Sequence, residues 1–194
     1  IAEPEVNLEV GSGSHAQQTA AIMSRFEFVV LDRRLDLVLV YGDVNSTLAA
    51  ALVCAKLMVP IGHVEAGLRS YDRTMPEEIN RIVTDAVADL LWTPSADADD
   101  NLLAEGVDED RIERVGNIMI DSYELLRPEI ERRDTPQRFG LSPGTYGVVT
   151  LHRPSNVDDE RALGTLVDQL RGAAERLPLV FSVHPRTRRS LDKY

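Results

Sequence analysis

Short aliphatic runs alternate with segments of helical pattern along most of this chain, and that alternation restricts the fold more than any other feature. Leu37-Val38-Leu39-Val40 stands between Asp36 and Gly42. A run that is apolar at every residue, not at every second one, fits a strand buried on both faces. An alanine-rich helix is expected over 48–57, with Ser46 or Thr47 as its cap. A strand over 60–64 follows, then a helix from about Pro76 to Ala88. Proline suits its first turn, and Glu77 and Glu78 suit the positive end of its dipole. A strand over 90–93 stops at Pro94, a helix over 95–105 ends at Gly106, and a fourth strand covers 111–115. This succession of βαβ units predicts an α/β protein on a doubly wound parallel sheet flanked by helices.

Beyond Gly116-Asn117 the pattern changes. Residues 120–133 read as one long polar helix, and Asp134-Thr135-Pro136 with the glycines from 140 to 147 reads as a boundary. A fresh α/β pattern follows: a strand over 146–151, a helix over 159–176 and a strand over 179–183 that runs into His184-Pro185. The expected organisation is a first domain over 1–133 and the start of a second over 134–194. One and a half βαβ repeats are too few to complete a second sheet. The chain carries 32 acidic against 21 basic residues, for a net charge of −11. That balance argues against nucleic acid or a membrane surface as a general partner, since both are anionic. Local arginines can still hold a small anion. The single cysteine, Cys54, lies in an apolar run and reads as a small core residue. With no disulfide possible within the chain, no signal peptide and no apolar stretch of bilayer length, a cytoplasmic protein is expected.

Acidic residues gather where the first two strands end. The segments are Y-G-D-V-N-S-T (41–47), G-H-V-E-A-G-L-R (62–69) and M-P-E-E-I-N-R (75–81). In a parallel α/β sheet, ligands sit at the carboxyl ends of strands, and acids there suit proton transfer. Asp43 alone reads equally well as a helix cap, Glu77 as a routine helix start, and His63 as a satisfied interior histidine. Glu65 is hardest to explain structurally, because a carboxylate directly behind Ile61-Gly62-His63-Val64 is partly buried. His152 and His184 each end a strand. Arg186, Arg188 and Arg189 also fit a solvated helix start. No metal-ligand spacing of the H-E-x-x-H kind occurs, and no metal is expected.

Seven segments in order carry a family resemblance. They are V-G-S-G-S (10–14), G-D-V-N-S-T-L-A-A (42–50), H-V-E-A-G-L-R (63–69), P-E-E-I-N-R (76–81), V-G-N (115–117), L-H-R-P-S-N-V-D (151–158) and H-P-R-T (184–187). With them the chain resembles the non-hydrolysing UDP-N-acetylglucosamine 2-epimerases. The resemblance implies two Rossmann-like domains of the glycosyltransferase-B type, an active site in the cleft between them, and a homodimer. It implies interconversion of UDP-GlcNAc and UDP-ManNAc without a cofactor, for cell-surface polysaccharides. UDP leaves across C1–C2 to give 2-acetamidoglucal, then adds back with a proton delivered to the other face of C2. Such chemistry needs a partly desolvated carboxylate base, a second acid, cations for the leaving diphosphate, and exclusion of water.

By the same resemblance Asp43, Glu65, Glu77 and His152 are the catalytic positions. Arg69, Asn80, Arg81, Asn117 and Arg153 are ligand-shaping groups, and His184 and Arg186 reach the nucleotide. Which carboxylate takes the proton and which returns it stays open. Gln17 and Gln18 fall in a region where some relatives hold an additional UDP-GlcNAc as activator. The family's G-T-R-P-E loop does not precede Ile1, and its Ser/Gly-rich region does not follow Tyr194. The chain therefore reads as the middle of a longer protein, with both domains incomplete. Ser155 stands where many members carry an acid. The alternatives are a hydrolysing relative or another sugar-nucleotide enzyme of this fold, and a fragment that only binds nucleotide.

Overall fold

The computed structural model describes residues 3–194. The chain divides into two compact units, one ending at Leu125 and one running Leu126–Tyr194.

In the first unit, α1 (His15–Arg33) opens on a capping box. The Ser14 hydroxyl accepts from the Gln17 N–H, and Gln17 Oε1 accepts from the Ser14 N–H. Arg34, in the left-handed conformation, ends the helix. This helix goes beyond the elements expected from periodicity. Val30 is its one fully buried residue, and Phe26 and Met23, four and seven positions back along the same face, pack partly buried against the core.

Four parallel strands follow, β1 (Val38–Tyr41), β2 (Ile61–Val64), β3 (Leu90–Thr93) and β4 (Ile112–Arg114), in the spatial order β1-β2-β3-β4. They alternate with α2 (Asn45–Lys56), α3 (Pro76–Val87) and α4 (Ala96–Ala104). The order does not reverse among the described residues, so the doubly wound arrangement is not completed there. Right-handed crossovers in a one-way order lay successive helices on the same face, and α2 packs against both α1 and α3. That face carries Val38, Val40, Ile61, His63, Leu91 and Thr93, all buried. Fully burying a side chain such as Ile61 or Leu91 contributes about 1.5–3 kcal/mol over leaving it exposed.

Neither Ser46 nor Thr47 caps α2. The helix begins at Asn45, with Val44 in the cap position and no side chain bonding there. The connection after β1 is so tight that both residues already lie in the first turn. The Thr47 hydroxyl instead donates to the Tyr41 carbonyl at 2.6 Å.

The helix α5 (Ile118–Arg132) contains the division between the units, ahead of the boundary expected at 133/134, and none of its residues is buried. The second unit comprises α6 (Thr135–Arg138), β5 (Gly147–Val149), α7 (Pro154–Val157), α8 (Glu160–Ala174), β6 (Leu179–Phe181) and α9 (Pro185–Lys193). The strands β5 and β6 pair in parallel. Asp159 caps α8 by accepting from the Ala162 N–H at 2.8 Å. Val157, Leu163 and Thr187 are its buried side chains.

Candidate active site

Two strand-end turns build the site in the first unit. The turn after β1 passes through Gly42 (φ 62) to Asp43, and the turn after β2 through Glu65 (φ 75) to Gly67 (φ 79). Glycine takes such backbone angles freely, whereas a residue with a Cβ is held there at a cost of about 1–2 kcal/mol. Strain of this kind collects at functional positions, and Glu65 carries it. Its side chain is half-buried. A Cβ on Gly42 would stand 3.4 Å from Glu65 Oε2, so the carboxylate leans over the first turn. Gly67 is pressed against α4: a Cβ there would lie 2.4 Å from the Ala98 carbonyl oxygen.

The buried face of α3 is ionic. Glu78, Arg81 and Asp85 recur at i, i+3 and i+7, which aligns them on one side of a helix. Arg81 donates to Asp43 Oδ2 at 2.6 Å and to Glu78 Oε2 at 2.9 Å. Glu78, only 1% exposed, also accepts from the Ser70 and Tyr71 N–H groups at 2.9 and 3.0 Å. Burial pushes the Glu78 carboxyl up, but Ser70, Tyr71 and Arg81 together overcome it and hold the group below its ordinary range. Asn80 donates to the Asp43 carbonyl at 2.8 Å and to Asn45 Oδ1 at 3.4 Å. Asn45 in turn donates to Gln18 Oε1 at 2.9 Å.

Asp85 is the centre of a second network. Its Oδ1 lies 2.6 Å from His63 Nδ1, and its Oδ2 accepts from the Gly67 N–H at 3.1 Å and from Arg69 at 2.7 Å. The other ring nitrogen of His63, Nε2, lies 2.9 Å from the Gly42 carbonyl oxygen. Arg69 completes a two-point pair with Glu105, at 2.7 Å on each side, and donates to the Leu68 carbonyl. The Arg69 side chain is 1% exposed. Burial disfavours its charge, yet Glu105 and Asp85 raise its pKa above the ordinary arginine value. Arg69 therefore shapes the second turn from beneath, with its guanidinium turned inward.

Not every expected residue joins this cluster. Glu77 is exposed at the first turn of α3, because one step along a helix rotates the side chain by about 100° and the inward position falls to Glu78. Asn117 is exposed before α5, where its Oδ1 accepts from the Met119 N–H at 2.9 Å. In the second unit, His152 follows β5 and His184 precedes α9, with ring centroids 5.9 Å apart. His184 Nδ1 accepts from the Arg186 N–H at 3.1 Å. Arg186 grips Asp158 through two hydrogen bonds of 2.8 and 2.5 Å, which hold the Asp158 carboxyl below its ordinary range. The Thr187 hydroxyl ties α9 to the Leu151 carbonyl. Arg153 is exposed at the cap of α7.

Sequence reasoning gives no role to Asp85, Glu105 or Asn45, and reads Glu78 only as a favourable helix start. The available signal is the spacing of Glu78, Arg81 and Asp85, which marks one helical face with ionisable groups. Chemically, the first unit presents two carboxylates on neighbouring turns at the carboxyl end of parallel strands, one of them braced by a guanidinium. That arrangement suits proton transfer.

A family model described as UDP-N-acetylglucosamine 2-epimerase matches residues 1–194. A Methanococcus maripaludis protein named UDP-N-acetylglucosamine 2-epimerase homolog is 43% identical over 196 residues, covering 100% of this chain and 54% of its own length. The UDP-2,3-diacetamido-2,3-dideoxy-D-glucuronate 2-epimerase of Pseudomonas aeruginosa is 41% identical over 196 residues, with the same coverage of 100% and 54%. A crystal structure of Methanocaldococcus jannaschii UDP-GlcNAc 2-epimerase, in complex with UDP-GlcNAc and UDP, matches with a TM-score of 0.87 at 39% identity. It covers 100% of this chain and 54% of that one. The chain thus spans about half the length of the curated relatives it matches.

Proposed function

The chain belongs to the UDP-N-acetylglucosamine 2-epimerase family, and we propose from that premise that the complete protein interconverts UDP-GlcNAc and UDP-ManNAc. One carboxylate takes the proton from C2, the C1–O bond breaks, and UDP leaves with the bonding pair to give 2-acetamidoglucal. The UDP oxygen then attacks C1 while a proton reaches C2 on the opposite face. The observation that carries this reading is the pair Asp43 and Glu65, on adjacent strand-end turns, with Arg81 bound to Asp43 at 2.6 Å. Glu77, at the first turn of α3, is the third carboxylate of the mechanism. His152, His184 and Arg186 supply cationic and hydrogen-bonding groups for the diphosphate. Asn117 and Arg153 are ligand-shaping groups. Among the described residues no helix is long and apolar enough to cross a membrane. In this proposal the protein acts as a cytoplasmic homodimer that serves cell-surface polysaccharide synthesis.

The Pseudomonas relative favours a second reading, in which the same C2 chemistry acts on a UDP-diacetamido-uronate. Incubating the complete protein with each sugar nucleotide in D2O, and following products by NMR, separates the two. UDP-ManNAc deuterated at C2 is the expected product. Turnover of the uronate alone moves the assignment to the second reading, free ManNAc with UDP moves it to hydrolysis, and no product from either refutes both. Asp43→Asn and Glu65→Gln should each lower turnover by about 10²–10⁴-fold with UDP affinity largely kept. Full activity in either variant removes that residue from the mechanism.

A further inference from the structure

We infer that the buried couple of His63 and Asp85 sets the mutual placement of Asp43 and Glu65, which makes His63 a positioning residue for proton transfer at C2. The inference rests on the epimerase reading above. His63 is fully buried, at 0% exposure, between two acceptors. A carbonyl oxygen only accepts, so the nitrogen 2.9 Å from the Gly42 carbonyl carries a hydrogen. The other ring nitrogen, Nδ1, lies 2.6 Å from Asp85 Oδ1, which links the ring to the carboxyl group. Asp85 in turn receives the Gly67 N–H at 3.1 Å.

Each end of this chain of bonds grips a different turn. Gly42 immediately precedes Asp43, and Gly67 lies two residues after Glu65. All three backbone positions Gly42, Glu65 and Gly67 have positive φ. These turns depart from the ordinary backbone basins and need an external hold. A planar ring with nitrogens pointing in opposite directions spans the gap between them. Arg69, bonded to Asp85 and to Glu105, fixes the far side of the carboxylate. None of these groups has to touch substrate. Their effect is to keep two carboxylates at one separation, and a misplacement of about 1 Å can cost roughly 10²-fold in rate.

The test compares His63→Gln with Asp85→Asn in the complete protein. A glutamine amide can donate to Gly42 but does not hold both turns. Asparagine at position 85 can donate to His63 and still accept from Gly67 and Arg69, so it keeps both holds. His63→Gln should lower kcat by about 10–10²-fold while KM and the Kd for UDP change less than about threefold, and Asp85→Asn should retain most of kcat. Unchanged kcat in His63→Gln overturns the inference. So does a rise in KM and Kd in step with the fall in kcat, or an equal loss in Asp85→Asn. If His63→Gln does not fold, 15N-histidine NMR of the wild-type protein decides. A protected ring N–H on His63 is expected, and its absence overturns the inference. Wild-type protein without epimerase turnover overturns the functional reading instead, and the ring N–H is read without turnover.

Discussion

Replacing Arg69 by methionine should destabilise the first unit far more than removing the charge of its partner Glu105. The asymmetry comes from burial. Arg69 and Asp85 are 1% and 2% exposed, whereas Glu105 is 42% exposed. In Arg69→Met the carboxylate of Asp85 stays in the interior with His63 and the Gly67 N–H but without its guanidinium. Breaking a buried pair from one side costs about 3–5 kcal/mol. Glu105, once released, turns to water; in Glu105→Gln the buried Arg69 keeps Asp85 as its charged partner and can still donate to the glutamine amide oxygen. Arg69→Met should therefore lose about 3–5 kcal/mol and Glu105→Gln less than about 1 kcal/mol. Against a typical domain stability of about 5–15 kcal/mol, the first loss is large. Trp92, the one tryptophan of the chain, lies on β3 and reports the first unit by fluorescence during urea unfolding. Adding Asp85→Asn to Arg69→Met removes the stranded charge and should recover part of the loss. Equal losses in the two single variants would refute the reasoning, since the half-exposed partner would then count for as much as the buried one.

Gly67→Ala should also weaken the unit, because the added Cβ meets the Ala98 carbonyl at 2.4 Å and the backbone sits at φ 79. A left-handed residue costs about 1–2 kcal/mol and overpacking about 1–3 kcal/mol. A denaturation midpoint like that of the wild type contradicts this. Acid should unfold the first unit in part through Glu78, whose folded pKa lies below its ordinary value of 4.5. A depressed carboxyl contributes stability that is fully present above the ordinary value and is lost as pH falls through the folded one. Unfolding free energies measured from pH 6 downward should fall more steeply in the wild type than in Glu78→Gln, and parallel curves would remove Glu78 from the account.

The positions of the strands are legible because local signals agree with tertiary demands, although β1, expected to be buried on both faces, is buried on one, with Leu39 43% exposed. The apolar run of β3 ends at Pro94, which cannot continue the ladder, and the structure places the strand at Leu90–Thr93. Proline in the first turn marks α3, which begins at Pro76. The helix α1 carries two local signatures, the Ser14–Gln17 box and Met23, Phe26 and Val30 at i, i+3 and i+7, but of these three only Val30 is fully buried, so the stripe blends into the apolar residues around it. At the site, the acids Asp43 and Glu65 stand out because Glu65 directly follows an apolar run and Asp43 follows one across a single glycine, Gly42. Glu77 and Glu78 are indistinguishable by type and neighbours. Only the phase of α3 against the sheet selects Glu78 for the interior. Arg69 is likewise placed by partners 16 and 36 positions away, Asp85 and Glu105, which no local pattern joins to it.

One sheet thus rests on two kinds of support. Beneath the strands lie Val38, Ile61, Leu91 and Leu102, a hydrophobic cluster that holds the helices without directional demands. Beneath the strand-end turns lie Glu78, Arg81, Asp85, Arg69 and His63, joined by hydrogen bonds. Well-packed apolar residues of similar volume are often at least as stabilising as a buried ion pair, so stability alone does not account for the second kind. What an apolar layer lacks is direction. It has no donor for the Gly42 carbonyl, no acceptor for the Gly67, Ser70 and Tyr71 N–H groups, and no cation for Asp43. The turns leave those backbone groups without ladder partners, and polar groups left unpaired on burial are costly. The ionic layer is therefore the counterpart of the strained turns: the same bonds that satisfy their backbone fix where the two carboxylates point.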